Sequence, residues 1–175
     1  MLFEIKKDES IQDYIQPINH YSDNLRAELL ALQINRQIQG KATYDDLTNS
    51  LKKIFGKEVK GIYDFFDGSG LSRQNRCSAA SLVSLLEWMS SSANHYAFEQ
   101  SLAVAGVSGT LAKRFHGTPF ERSFIGKTGT LNKVTALSGY WLKDPYTKVT
   151  LSFIGNGDDN TKYWRALESF PKKLK

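Results

Sequence analysis

One cysteine, four prolines and no long apolar run set the first limits on this 175-residue chain. A lone Cys77 permits no internal disulfide; following an arginine at what reads as a helix start, it is best taken as a small buried hydrophobe without chemistry. No stretch approaches the roughly 18 consecutive apolar residues of a membrane-spanning helix. The opening Met1–Ser10 lacks the apolar core and small-residue cleavage site of a secretory signal, so the chain as written carries no export address. Lysine and arginine exceed the acids by five, yet they are scattered instead of forming a basic stripe with aromatics between, which argues against nucleic-acid binding. His20, His95 and His116 are isolated and no cysteine–histidine cluster has ligand spacing, so no metal is expected. The glycines of Gly68-Ser69-Gly70 lack the following lysine and preceding strand of a phosphate cradle, and no cofactor is expected either.

What remains is an ordinary soluble composition, 41% hydrophobic with 23% charged, which suits one packed domain over residues 1–175. Asp23 or Ser22 caps a helix that carries Leu25, Leu29 and Leu32 and stops at Gly40. Thr43 and Asp46 resemble a capping box for a second, amphipathic surface helix with Leu47, Leu51, Ile54 and Phe55 on one side and Gly56 at its end. The turn-rich run Asp67–Ser72 is a loop, and Leu82, Leu85, Leu86 and Met89 mark a third, core-facing helix. The period then changes to that of strands, at 123–130, 133–142 and 148–154, with short connections that imply an antiparallel meander. A closing helix from about Asp159, with Tyr163, Trp164 and Leu167 on its apolar side, can cover one face of that sheet. The class is α/β in the segregated, α+β sense: an antiparallel sheet with flanking helices.

Two short motifs carry chemistry. In Lys127-Thr128-Gly129-Thr130 a strand offers a cation, hydroxyls and a glycine where a ligand's backbone can approach, a combination suited to holding a carboxylate. In Ser22-Asp23-Asn24 a helix start offers a hydroxyl for proton relay and an amide that pairs with a peptide group. Each motif alone is common, as a second Ser-x-Asn at Ser92-Ala93-Asn94 shows. Their order, one on a helix start and the other on a strand, is what points to an acyl-transfer site.

Around these motifs the runs Tyr21–Glu28, Asp67–Asn75, Val104–Leu111 and Gly126–Leu131 closely resemble the class C low-molecular-mass penicillin-binding proteins, the serine D-alanyl-D-alanine carboxypeptidase/endopeptidases. The resemblance covers about residues 20 to 157. It implies the penicillin-recognising transpeptidase/β-lactamase-like fold and a peptidoglycan-trimming hydrolase working outside the cytoplasmic membrane, in the periplasm or the extracellular space. The partners implied are stem peptides ending in D-Ala-D-Ala, and β-lactams. By the same resemblance Ser22 relays the proton to the leaving group, Asn24 binds the substrate's peptide carbonyl and Lys127 sets the local potential. Thr128 then holds the terminal carboxylate, Gly129 lies beside it on the substrate-binding strand, and the backbone N–H of Thr130 supplies half of the oxyanion hole.

The chain departs from that family at the nucleophile. A Ser-x-x-Lys should precede Ser-Asp-Asn, and the first 21 residues contain none. Formal matches occur only downstream. In Ser50-Leu51-Lys52-Lys53 the lysine points to solvent, and in Ser169-Phe170-Pro171-Lys172 the proline breaks the turn that would align serine with lysine. The expectation is therefore a C-terminal portion of the catalytic domain, an incomplete fold that is inactive alone. The strand near Val149–Ile154 should then expose an apolar edge meant for a missing N-terminal part, so self-association is expected. The rival readings are a non-catalytic D-Ala-D-Ala or β-lactam-binding module, a complementing subunit of a split enzyme, and a β-lactamase.

Overall fold

The structure, a computed structural model, describes residues 10–174, so the expectations placed on the extreme N-terminus lie outside the described residues. The chain first builds three helices, α1 (Ile11–Tyr21), α2 (Asn24–Gln39) and α3 (Leu47–Phe55). A pair of two-residue antiparallel strands follows, β1 (Tyr63–Asp64) with β2 (Arg76–Cys77), joined by the loop 65–75, and then helices α4 (Ala79–Ser90) and α5 (His95–Ser101). Strands β3 (Ala103–Val104), β4 (Phe124–Leu131), β5 (Val134–Asp144) and β6 (Thr147–Asn156) form an antiparallel sheet in that order, and α6 (Asn160–Ser169) closes the fold.

Helix α2 starts where expected, because the Asp23 carboxylate accepts the Arg26 N–H at 3.0 Å, and it ends at Gly40 with φ 78°. Helix α3 starts differently. Asp46 sits in the left-handed region and caps no backbone N–H, while Thr43 gives its carbonyl to the Asn35 amide at 2.6 Å, so the expected capping box does not form. Nor is α3 merely a surface helix, since Leu47 and Ser50 are buried. Its anchor is polar: the fully buried Asn35 of α2 donates to Thr43 and Asp45 carbonyls and accepts from the Ser50 hydroxyl, which also accepts from Gln39. Buried polar groups of this kind fix a helix in one place when they are satisfied. Cys77 is also displaced from expectation: it lies on β2, half-buried, and Ser78 is the residue that caps α4 by accepting the Ser81 N–H at 3.0 Å. Burial pushes its thiol pKa up, consistent with a packing role.

The strand register fixes two faces. Phe124 pairs with Trp141 and Leu137 with Phe153, and these side chains join Phe115, Phe120, Trp164 and Leu167 in a core under α6. At roughly 1.5–3 kcal/mol for each large apolar side chain fully buried, this cluster is the main source of stability. On the opposite face Tyr140 is wholly buried against Leu86 and Leu102, and its hydroxyl donates to the Leu86 carbonyl at 2.6 Å, which fixes α4 over the sheet.

The sheet's two outer edges are both incomplete. β3 pairs only with Ile125 and Gly126, and among the described residues no strand pairs with Lys127–Leu131 on that side. Among the described residues β6 likewise has no strand beyond it. Beside β6 runs a groove of about 380 Å³ lined by Phe120, Phe124, Leu151, Phe153, Leu167 and Phe170 among others.

Candidate active site

The free part of β4 faces the junction of α1 and α2. Helix α1 ends by placing Ser22 in the left-handed region, φ 63° and ψ 48°, with the N–H groups of Ser22 and Asp23 turned back to the carbonyls of Ile18 and Pro17, each at 3.1 Å. Asp23 then caps α2, so only Ser22 and Asp23 lie between the two helices. A non-glycine residue held there costs on the order of 1 kcal/mol, strain that surrounding structure must maintain and that clusters at functional sites.

What meets Ser22 is Lys127. The register of β4 turns this side chain to the helical face of the sheet, where its Nζ donates to Ser22 Oγ at 2.5 Å and to the Thr128 carbonyl at 2.7 Å. Burial lowers the Lys127 pKa from its ordinary value, because removing water disfavours the ammonium. Serine accepts from lysine here, so its own hydroxyl proton is free for another acceptor. Asn24, the first residue of α2, is exposed next to this contact.

Further along β4, Thr128 Oγ1 donates to Thr110 Oγ1 at 2.9 Å. A Cβ on Gly129 would meet only Ala136 Cβ, at 3.4 Å, so no internal clash requires the glycine; what its missing side chain leaves is room above the strand. Thr130 is exposed. The structure thus brings Ser22 and Lys127 into direct contact; Asn24 follows two residues after Ser22 at the start of α2, and Thr128, Gly129 and Thr130 continue from Lys127 along the free edge.

The loop 67–75 ties the two walls together. Asp67 organises it by accepting from the N–H groups of Gly70 and Ser72 and from the Asn75 amide. Glu28, one turn beyond Asn24, accepts from the N–H groups of Gly68 and Ser69. Burial alone would raise the Glu28 pKa; hydrogen bonds from Ser69, Gly68 and Tyr44 outweigh it and hold the carboxyl below its ordinary value. Burial and the neighbouring Glu28 in turn push Tyr44 up to about 12. A Cβ at Gly68 would lie 2.3 Å from the Ala27 carbonyl, so only glycine lets the loop sit on α2. At its other end Arg73 donates to the Asn132 carbonyl in the β4–β5 turn at 2.8 Å.

Glu28, Arg73 and Thr110 were not singled out from the sequence, although each lies inside a run that carries the family resemblance. The two formal Ser-x-x-Lys matches are not assembled. Ser50 is fully buried on Asn35 and Gln39 while Lys53 is exposed, and Ser169 donates to the Ala166 carbonyl at the end of α6. The histidines serve local contacts: His20 Nδ1 meets the Leu102 carbonyl at 3.3 Å, His95 the Ser92 carbonyl and His116 the Glu121 carboxylate. Among the described residues no helix is long and apolar enough to cross a membrane, and no group of three or more acidic, histidine or cysteine side chains could hold a metal.

Known proteins resemble this chain in sequence and in fold. The pattern of the D-Ala-D-Ala carboxypeptidase 3 (S13) family matches residues 5–169. A D-alanyl-D-alanine carboxypeptidase of Actinomadura sp. strain R39 is 34% identical over 155 residues, which are 84% of this chain and 28% of that protein. The D-alanyl-D-alanine carboxypeptidase DacB of Haemophilus influenzae is 33% identical over 175 residues, 94% of this chain and 36% of the other. The crystal structure of penicillin binding protein 4 from Haemophilus influenzae, complexed with a β-lactam, superposes with a TM-score of 0.77 at 28% identity, covering 93% of this chain and 40% of that one. The chain therefore spans 28% and 36% of the length of these two curated relatives. A helix-flanked antiparallel sheet of the penicillin-recognising type, with this family pattern along nearly its whole length, places the chain in the D-Ala-D-Ala carboxypeptidase 3 (S13) family of low-molecular-mass penicillin-binding proteins.

Proposed function

We propose that this chain carries two walls of a serine D-Ala-D-Ala carboxypeptidase or endopeptidase site, one that acts on peptidoglycan stem peptides and takes β-lactams as substrate mimics. The observation that carries the reading is the contact of Lys127 Nζ with Ser22 Oγ, between residues far apart in sequence and on different elements. In this reading Ser22 passes a proton to the leaving D-alanine amine, and Lys127 supplies the positive field that keeps that proton mobile. Asn24 donates to the substrate's peptide carbonyl, Thr128 holds the terminal carboxylate, and Gly129 leaves space for the substrate backbone. The N–H of Thr130 points to the developing oxyanion.

The attacking serine belongs to a Ser-x-x-Lys segment outside the described residues, in a fuller catalytic domain. Its hydroxyl oxygen bonds to the carbonyl carbon of the penultimate D-alanine, its proton passes to its neighbouring lysine, and the D-Ala–D-Ala amide bond breaks. Water then releases the acyl group. The substrate places such an enzyme in the periplasm or outside the cell. Intact-protein mass after incubation with excess penicillin tests this assignment. An unchanged mass, together with ligand-induced shifts in the amide NMR spectrum near Lys127, is expected; a penicilloyl adduct overturns the external nucleophile, and absence of any shift overturns the site.

A further inference from the structure

Thr110 lies on a one-turn 3-10 segment, Gly109–Leu111, that closes the gap between the two walls. The turn is held from behind by fully buried Leu111 and by the Gly106 N–H donating to the Leu111 carbonyl at 3.0 Å. At its front Gly109 has φ 58°, and a Cβ there would lie 2.4 Å from the His20 carbonyl oxygen. Only glycine allows the turn to press against the end of α1, two residues before Ser22. The position of Thr110 is therefore set by the Ser22 wall, while its hydroxyl sits 2.9 Å from Thr128 Oγ1 on the Lys127 wall.

The direction of that bond matters. Thr128 donates and Thr110 accepts, which leaves the Thr110 proton for a further acceptor; among the described residues none takes it, and the side chain is exposed. We propose that Thr110 is a second hydroxyl of the carboxylate pocket, binding the terminal carboxylate of the ligand together with Thr128. The assignment rests on the reading that Thr128 grips this carboxylate. A carboxylate offers two oxygens and about four acceptor positions, so when the Thr128 hydroxyl turns its single proton from Thr110 to the ligand, both threonines donate to the carboxylate at once, and bonds to an ionised acceptor are the stronger kind. The second hydroxyl also explains why this turn is locked to both walls, since a donor pair grips a carboxylate best when its spacing is set before the ligand arrives.

The test uses this chain and two probes, N-acetyl-D-Ala-D-Ala and its C-terminal amide, titrated by NMR into the unaltered protein and into Thr110→Val, Thr110→Ser and Thr128→Val. Thr110→Val is expected to weaken binding of the acid about tenfold, to change binding of the amide by less than about twofold, and to keep the amide spectrum of a folded chain, with Thr110→Ser restoring affinity. Loss of acid binding in Thr128→Val with none in Thr110→Val overturns the role of Thr110 alone. No binding of the acid by the unaltered chain overturns the carboxylate reading, and this proposal with it.

Discussion

The two edges of the central sheet pose the same backbone problem and are finished in opposite ways. Along Lys127–Leu131 the open side of β4 is polar: an ammonium, hydroxyls from Thr128 and Thr130, and Ser22 and Thr110 brought up to meet them. Along β6 the side chains are apolar on one face: Val149, Leu151 and Phe153 are partly buried against the main core, and Leu151 and Phe153 also line the apolar groove between the sheet and α6. An edge strand exposes unpaired N–H and C=O groups whatever its side chains, so the side chains decide what can settle there. In the proposed reading the polar edge with its half-buried cation takes a small anionic ligand, and the β6 edge takes more protein.

The sharpest way to break this contrast is to remove the cation. Lys127→Met is expected to weaken binding of a D-Ala-D-Ala acid about a hundredfold, the order expected when a charge-assisted bond is lost from a largely buried site. It should do so without loss of stability at neutral pH. Lys127 has its pKa lowered by burial, so at neutral pH the folded chain carries a desolvation cost for this half-buried ammonium, offset in part by its bonds to Ser22 and Thr128. As pH rises through the lowered folded value toward the ordinary one, the folded chain releases the proton before the unfolded chain does. Stability of the unaltered protein therefore rises across that window, and that of Lys127→Met does not. Urea denaturation at pH 7 and pH 10 with both proteins checks the sign; a flat profile for the unaltered chain removes the buried cation from the account.

The second edge is broken by placing a charge on it. If the β6 edge recruits protein, the unaltered chain self-associates as concentration rises, and Thr150→Lys, in the middle of the strand, shifts it several-fold toward monomer in sedimentation velocity. A chain that stays monomeric at high micromolar concentration removes the claim that this edge seeks a partner, and with it the structural half of the expectation that the fold is incomplete.

How far these edges were legible in the sequence follows from the range of the interactions that build them. Strands β4 to β6, their short connections and the Asp159-capped α6 are local in period and turn chemistry, and the antiparallel meander could be read directly. So could the start of α2 at Asp23. Helix α1 was not, because Pro17 stands inside it and no residue of it is fully buried. The start of α3 was misread for a related reason: Thr43 and Asp46 satisfy a local capping pattern, but Asn35 on another helix claims the Thr43 carbonyl. At the site, Ser22, Asn24, Lys127, Thr128, Gly129 and Thr130 were named from two short motifs. Glu28, Arg73 and Thr110 were not, since a carboxylate that holds a loop or a hydroxyl that meets another strand has no period or spacing to reveal it.

The smallest effect expected concerns why β6 is left so bare. Lysine on an edge strand ordinarily discourages pairing, and β6 has one, Lys148, at its start. That ammonium is committed elsewhere: it bonds to Glu99 at 2.7 Å and lies 5.0 Å from the centre of the Tyr140 ring, on the helical face of the sheet. The pair is partly exposed, so its loss should cost less than about 1 kcal/mol. Glu99→Gln releases Lys148 toward solvent beside the edge and is expected to weaken self-association by only about twofold, an effect that disappears at 1 M salt, where the screening length falls to about 3 Å. If Glu99→Gln leaves association unchanged at low salt while Thr150→Lys abolishes it, the edge is governed by what lies within the strand and not by the charge at its end.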